Sequence, residues 1–377
     1  MGAVRENHGE RQPFRVLSLD GGGMRGTYTA TYLNRVASAF ARRRLVPALD
    51  VGKAFDLIAG TSTGAIIACG LALGVPLPQM VDLYRKHGPA IFPRKLPSGV
   101  LGVPGDLRRR PAAIRAGALA LRAALADILG TTTLADVYHQ RGIALAIPAI
   151  EMSQHRSWVF KTAHISTSMG RDDHYQLVDV CMATSAAPIF RSMAAVDHPD
   201  GGIGFNVFVD GGLWANNPVL VALIDALEVT NPGDQIEIFC LGTCPVPAGE
   251  QISRSELDRG LGEWKFGGLA AELSIDAQAF AFDNMARMFA RHVDRQVKIV
   301  RFPADKIPAA LLPYLGLDDT RDEAMDALVN QARTDADMTN SRCGMPQDED
   351  ARLICSLFES APVLPDGLAG QSSPFSP

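Results

Sequence analysis

The stretch GTSTG, Gly60–Gly64, follows the apolar run Phe55–Ala59. G-x-S-x-G at a strand-to-helix junction lifts a serine hydroxyl above the end of a sheet and onto the N-terminus of the next helix. The turn is so tight that flanking side chains would collide, hence Gly60 and Gly64. Ser62 is therefore a candidate nucleophile for acyl transfer. The tetrahedral oxyanion formed when serine attacks an ester needs backbone N–H donors within hydrogen-bond reach. A second stretch, DGGGMRG at Asp20–Gly26, offers them after the apolar run Phe14–Leu19. Bare amides at a helix N-terminus favour negative charge. Gly22 and Gly23 are the candidate donors, Arg25 adds positive charge beside them, and Gly21 and Gly26 complete the loop.

A hydrolytic serine also needs a base. Of eight histidines only His292 comes late enough for the chain order serine, acid, histidine, and its context FARHVDRQ reads as an ordinary charged region. Asp210 is better placed. It ends the run FNVFVD and precedes Gly211 and Gly212, which let another backbone or a substrate come close. Asn217 and Pro218 then suit the start of a helix. Ser62 and Asp210 at two strand ends of one sheet edge suggest a dyad in which the carboxylate takes the serine proton directly. An aspartate near its reference pKa of ~3.9 is a weak base, so such a site must bury it. Asp20 reads as local support for the glycine loop, Asp56 as a structural contact within the second strand, and Asp318–Asp319 as a turn and helix cap.

Other chemistries remain open at this level. Gly21, Gly23 and Gly26 also spell the G-x-G-x-x-G of a dinucleotide site, although the second strand ends in GTSTG instead of the acidic residue that would hold a ribose. A soluble carboxylesterase or thioesterase would use the same serine.

These residues must be positioned by strands alternating with helices. Phe14–Leu19, Phe55–Ala59, Ile143–Met152, Ser157–His164, Val207–Val209 and Ile236–Leu241 read as strands. Thr27–Arg44, with Tyr28, Tyr32, Val36 and Phe40 on one side, reads as a helix. So do a segment from Ala65, Pro111–Leu129, Gln176–Ala187 and Pro218–Leu227. The alternation predicts an α/β sheet covered on both faces. A polar arm over 1–13 precedes a core over 14–225 with a basic insertion at about 85–125. Residues 226–360 complete the same domain, and a Pro/Ser/Gly-rich tail over 361–377 is expected to be disordered.

Composition narrows the class. The 377 residues carry a net charge of −5, which argues against a generic nucleic-acid partner. Six scattered cysteines, with only Cys240 and Cys244 close together, fit no common zinc or redox spacing and are expected to be reduced, buried thiols of a cytosolic protein. The N-terminus lacks the apolar segment of a secretory signal, and Glu6 stands where a myristoylation signal needs Ser or Thr. The run Ala65–Leu77 is too short to span a bilayer. Arg85–Arg122 stands apart, with nine basic residues against the single acid Asp106. Mixed with Ile91, Phe92, Leu96, Val100, Leu101 and Val103, that charge suits an anionic membrane surface, or else an ordinary solvated insertion.

Taken together, DGGGMRG, GTSTG and DGG resemble the oxyanion loop, nucleophile elbow and aspartate turn of the patatin-like phospholipases. ATSAAPIF, Ala183–Phe190, resembles a further segment of that family. The resemblance covers about residues 14–225, with a weaker echo at Leu317–Ala332. Many members have DGA where this chain has DGG. The resemblance implies a three-layer α/β/α fold with a mainly parallel central sheet and hydrolysis of lipid acyl esters by Ser62 and Asp210. It implies oxyanion contacts from Gly22, Gly23 and Arg25, and neither metal nor other cofactor. Some bacterial members are antiphage effectors that cyclic nucleotides switch on to degrade the cell's own membrane. A phospholipid surface as substrate, a cyclic nucleotide activator and a cytoplasmic location at the inner face of the membrane are the corresponding expectations, with self-association left open.

Overall fold

Apolar residues alternate between the two faces of the first strand. In β1 (Phe14–Leu19), Leu17 and Leu19 join one buried cluster, while Val16 joins another on the opposite side. A strand buried on both faces belongs in a sheet covered by helices above and below. The computed structural model describes residues 12–95, 103–199, 201–244, 252–260, 262–264, 268–303, 307–345 and 347–365. The arm over 1–11, residues 96–102 of the basic insertion with Leu96, Val100 and Leu101, and the tail over 366–377 lie outside the described residues.

The helix α1 (Gly26–Arg43) follows β1, β2 (Leu57–Gly60) leads into α2 (Thr63–Leu73), and α3 (Leu77–Ile91), α4 (Val103–Leu129) and α5 (Leu134–Arg141) come next. The hairpin β3 (Ala144–Glu151) and β4 (Arg156–Lys161) is followed by α6 (Leu177–Thr184), β5 (Ala194–Asp197) and β6 (Phe205–Asp210). The chain continues through α7 (Gly212–Ala215), α8 (Val219–Val229), β7 (Gln235–Leu241), α9 (Gly268–Phe289), β8 (Gln296–Arg301), α10 (Asp322–Arg342) and α11 (Glu349–Ser360). Eight strands form one sheet in the order β5-β6-β3-β2-β1-β7-β8, with β4 also paired to β3. The block β3-β2-β1-β7-β8 is parallel; β4, β5 and β6 pair antiparallel. One face carries α1, α2, α3 and α10, and the other carries α8 and α9. The architecture is three layers with the mainly parallel sheet in the middle.

The pairing of β3 positions the candidate dyad. β3 pairs with β2 through Ala144–Ala146 and with β6 through Ala149–Glu151. It therefore runs on past the end of β2, and β6 comes back along that extension until Asp210 lies opposite Ala149. The last residue of β6 is thus delivered to the turn that follows β2.

Several expectations need correction. The helix placed at Pro111–Leu129 begins at Val103 and carries Pro111 inside it. Gln176–Ala187 is helical only over Leu177–Thr184, with Ser185 in a turn at the helix end and a second turn over 188–190. α8 starts at Val219, one residue beyond Pro218, although Asn217 still accepts the Val219 N–H at 3.1 Å. The tail is ordered through 365: Val363 bridges Leu49, Leu364 is buried, and Pro362 O accepts the Asp50 N–H at 2.8 Å. Four cysteines are buried, but Cys343 and Cys355 are half-buried.

Candidate active site

Ser62 sits in the two-residue turn between β2 and α2 with φ 54° and ψ −120°, a backbone conformation that costs a non-glycine residue of order 1–3 kcal/mol. The surroundings hold it there. Thr184 Oγ1 accepts the Ser62 N–H at 3.0 Å and donates to Pro148 O at 2.6 Å, while Thr61 Oγ1 donates to Ala215 O at 2.6 Å. Gly64 is obligatory for a second reason: a Cβ there would meet Leu19 O at 2.4 Å and Asp20 O at 2.7 Å, both backbone atoms of the β1 end.

The Ser62 hydroxyl donates to Asp210 Oδ2 at 2.7 Å. The other carboxylate oxygen, Oδ1, accepts the Gly212 N–H at 2.7 Å, which fixes the plane of the group. Gly211 presses on Pro148 O, leaving no room for a side chain. Asp210 is 6 % exposed, and this burial pushes its carboxyl up to about 6 despite the opposing hydrogen bonds of Gly212 and Ser62 and the charge of Arg191. Burial supplies the raised basicity that a dyad without histidine requires.

The glycine loop lies beside this pair. A Cβ on Gly22 would overlap Thr243 Oγ1 at 2.2 Å, and Gly23 adopts φ 55° against Leu317 O. Gly21, Met24 and Arg25 spend their N–H groups on Asn216 O, Leu317 O and Gly22 O. Among the described residues, the Gly22 and Gly23 N–H groups donate to nothing. Gly22, Gly23, Arg25, Ser62 and Asp210 all line one cavity of about 550 Å³, within the range usual for a small-ligand site. The Arg25 Nε donates back to Gly22 O at 3.4 Å. Burial lowers its pKa, against the charges of Cys244, Asp276, Glu272 and Asp20. Gly26 packs on Thr63 Oγ1 and Gly60 on the Gly64 backbone, so the two loops interlock.

Residues outside the cavity have structural partners. Asp20 accepts from Arg301 Nη1 at 2.8 Å, and Arg301 also donates to Asp283 Oδ1 at 3.1 Å. Asp56 caps the Arg15 N–H at 2.8 Å. His292 is exposed on the turn after α9 and does not line the cavity. Asp319 is no helix cap: fully buried, it accepts from Lys95 at 2.7 Å and Arg321 at 2.6 Å, and these cations hold its carboxyl well below the usual range. Sequence reasoning missed Thr184, Thr243, Asn216 and Arg191. The first and last belong to or directly follow the segment Ala183–Phe190, which was the available signal for them.

The patatin-like phospholipase family profile matches residues 17–223. The chain is 34 % identical over 277 residues to a cGAMP-activated phospholipase of Pseudomonas aeruginosa, covering 73 % of this chain and 74 % of that one. It is 28 % identical to a cGAMP-activated phospholipase of Vibrio cholerae, over 85 % of this chain and 89 % of the relative. A cUMP-AMP-activated phospholipase of Escherichia coli is 31 % identical over 56 % of this chain and 58 % of its own length.

Proposed function

The chain belongs to the patatin-like phospholipase family, and on that premise we propose that it cleaves the acyl esters of membrane phospholipids through a Ser62–Asp210 dyad, under the control of a cyclic nucleotide. The observation that carries the reading is the 2.7 Å hydrogen bond from the Ser62 hydroxyl to a buried aspartate, beside two unpaired backbone donors. Asp210 Oδ2 takes the serine proton as Oγ attacks the ester carbonyl. The oxyanion forms against the N–H groups of Gly22 and Gly23, with Arg25 adding positive charge. Collapse of the tetrahedral species expels the lysophospholipid alkoxide, which takes the proton back from Asp210. Water, deprotonated by the same carboxylate, then attacks the acyl-serine, releasing fatty acid and restoring the hydroxyl.

Action at a membrane surface is supported by two features. Arg108, Arg109 and Arg115 are exposed on α4 and form no ion pair among the described residues, whereas Arg85, Lys86, Lys95 and Arg122 hold Asp326, Asp82, Asp319 and Asp179. The helix α9, which contributes Leu269 and Ile275 to the cavity wall, also exposes Leu273, Phe280 and Met288. Among the described residues no helix is long and apolar enough to cross a membrane. Control by a cyclic nucleotide rests on the names of the relatives, and it would make this chain a switched membrane-degrading effector of antiphage defence.

The test is fatty-acid release from phospholipid vesicles by the wild type, Ser62→Ala and Asp210→Asn, each with and without cGAMP or cUMP-AMP. Release that requires both residues and rises with one nucleotide is the expected result. Release by Ser62→Ala would remove the serine mechanism. Turnover of short soluble esters without any release from vesicles would replace the phospholipase with an esterase.

A further inference from the structure

One cation in the cavity has no hydrogen-bond or ion-pair partner among the described residues. Arg191, on the turn after α6, is 7 % exposed, and its guanidinium makes no hydrogen bond or ion pair with any described residue. Its Nη2 is fully enclosed without an acceptor, and the guanidinium stands 5.8 Å from the Phe92 ring centroid. It lines the same cavity as Ser62 and Asp210. A buried charge left unpaired is strongly disfavoured unless something in the working state satisfies it.

Resting on the reading of the site as a phospholipase, we propose that Arg191 receives the phosphodiester of the substrate and so makes the site selective for phospholipids over neutral acyl esters. A planar guanidinium with several fixed N–H donors matches a phosphodiester's two unesterified oxygens, and the match is stronger in a water-poor cavity. In a glycerophospholipid the phosphate lies only a few bonds from the ester carbonyl, so a carbonyl at Ser62 brings the phosphate within the same cavity. Arg25 is the less suitable partner. Its charge is already offset by Glu272, Asp276 and Asp20, while Arg191 has the field of Asp210 alone, without a hydrogen bond or ion pair to it. Burial lowers the Arg191 pKa to about 10, which leaves the cation intact at neutral pH. Glu272 and Asp276 of α9 also line the cavity, and their carboxylates repel phosphate.

A cyclic dinucleotide also carries phosphodiesters, so the experiment separates the two sources. Arg191→Gln and Arg191→Lys are compared with wild type on phosphatidylglycerol in mixed micelles and on diacylglycerol of the same chains. Nucleotide binding is measured separately by calorimetry, and folding by thermal melting. The expected result for Arg191→Gln is a fall of roughly 10- to 100-fold in the phospholipid-to-diacylglycerol ratio of kcat/KM, from the loss of one charge-assisted contact. Arg191→Lys should recover part of it, and nucleotide affinity should be unchanged. Equal losses on both lipids, or a loss confined to nucleotide binding, would overturn the assignment to substrate. A changed pH midpoint with an unchanged ratio would make Arg191 a positioning residue for Asp210 instead. If the wild type hydrolyses neither lipid through Ser62, the phospholipase reading itself has failed, and that outcome is recognised before any Arg191 variant is compared.

Discussion

Thr184 holds the backbone of Ser62 from the neighbouring helix end, accepting its N–H at 3.0 Å while donating to Pro148 O at 2.6 Å. The strained serine is thereby tied to β3, the strand that also aligns β6. Thr184→Val keeps the shape but strands the Ser62 N–H and the Pro148 carbonyl, a cost of about 1–3 kcal/mol. We expect a lower melting temperature and a kcat reduced roughly 10- to 100-fold with KM little changed, because orientation is lost and not affinity. Thr184→Ser should restore both. Steady-state kinetics with calorimetric melting checks this.

The buried Asp210 carboxyl, raised to about 6, sets the pH dependence. As a base it must be ionised, so kcat/KM for hydrolysis should rise with pH through about 6 and then level off. Its effect on stability has the opposite direction. The fold prefers the protonated form, so the contribution of Asp210 is full below about 4 and is lost as pH rises through about 6. The gap between the two values corresponds to ~3 kcal/mol. Asp210→Asn, which removes the buried charge, should therefore be inactive yet more stable than wild type at pH 7.5, with the gain vanishing near pH 4. Denaturant titration at the two pH values measures it.

Gly64→Ala adds one methyl against two backbone carbonyls of the β1 end. Neither can rotate away, so α2 or the glycine loop must shift. Destabilisation of 2 kcal/mol or more is expected, with at least a 100-fold loss of ester hydrolysis even in molecules that fold. Melting curves and active-site titration with a serine-reactive fluorophosphonate separate the two effects.

Arg108, Arg109 and Arg115 should contribute to membrane binding through charge alone. At ~1 kcal/mol per cation near an anionic surface, changing all three to Glu should weaken binding to phosphatidylglycerol vesicles by at least 100-fold. Raising the salt from 0.1 to 0.5 M should weaken wild type in the same direction. Phosphatidylcholine vesicles should show little of either effect. Vesicle sedimentation reads all three.

The legible part of the site was the part written in local sequence. Gly60–Gly64, Asp20–Gly26 and Asp210–Gly212 each encode a strand end, a tight turn and a helix start within a few residues, so their chemistry and geometry can be read together. Arg191 could not be read this way, because an arginine has no spacing signature and its isolation appears only when Phe92 and Asp210 close around it. Asp319 looked like a cap because caps are local, whereas its partner Lys95 lies far away in sequence. The short edge strand β5 and the half-exposed helix α9 lack a clean apolar period, so neither stood out. The core helix α1 did, because Tyr28, Tyr32, Val36 and Phe40 repeat every fourth residue and all four are buried.

The turn at 316–319 works as a clamp with two jaws. One jaw is Leu317 O, which grips the Met24 N–H at 2.9 Å and bears directly on Gly23. The other is Asp319, which grips Lys95 just beyond the end of α3. The Lys95 segment and the backbone of the glycine loop are therefore held by the same four-residue turn, one by an ion pair and the other by a backbone hydrogen bond.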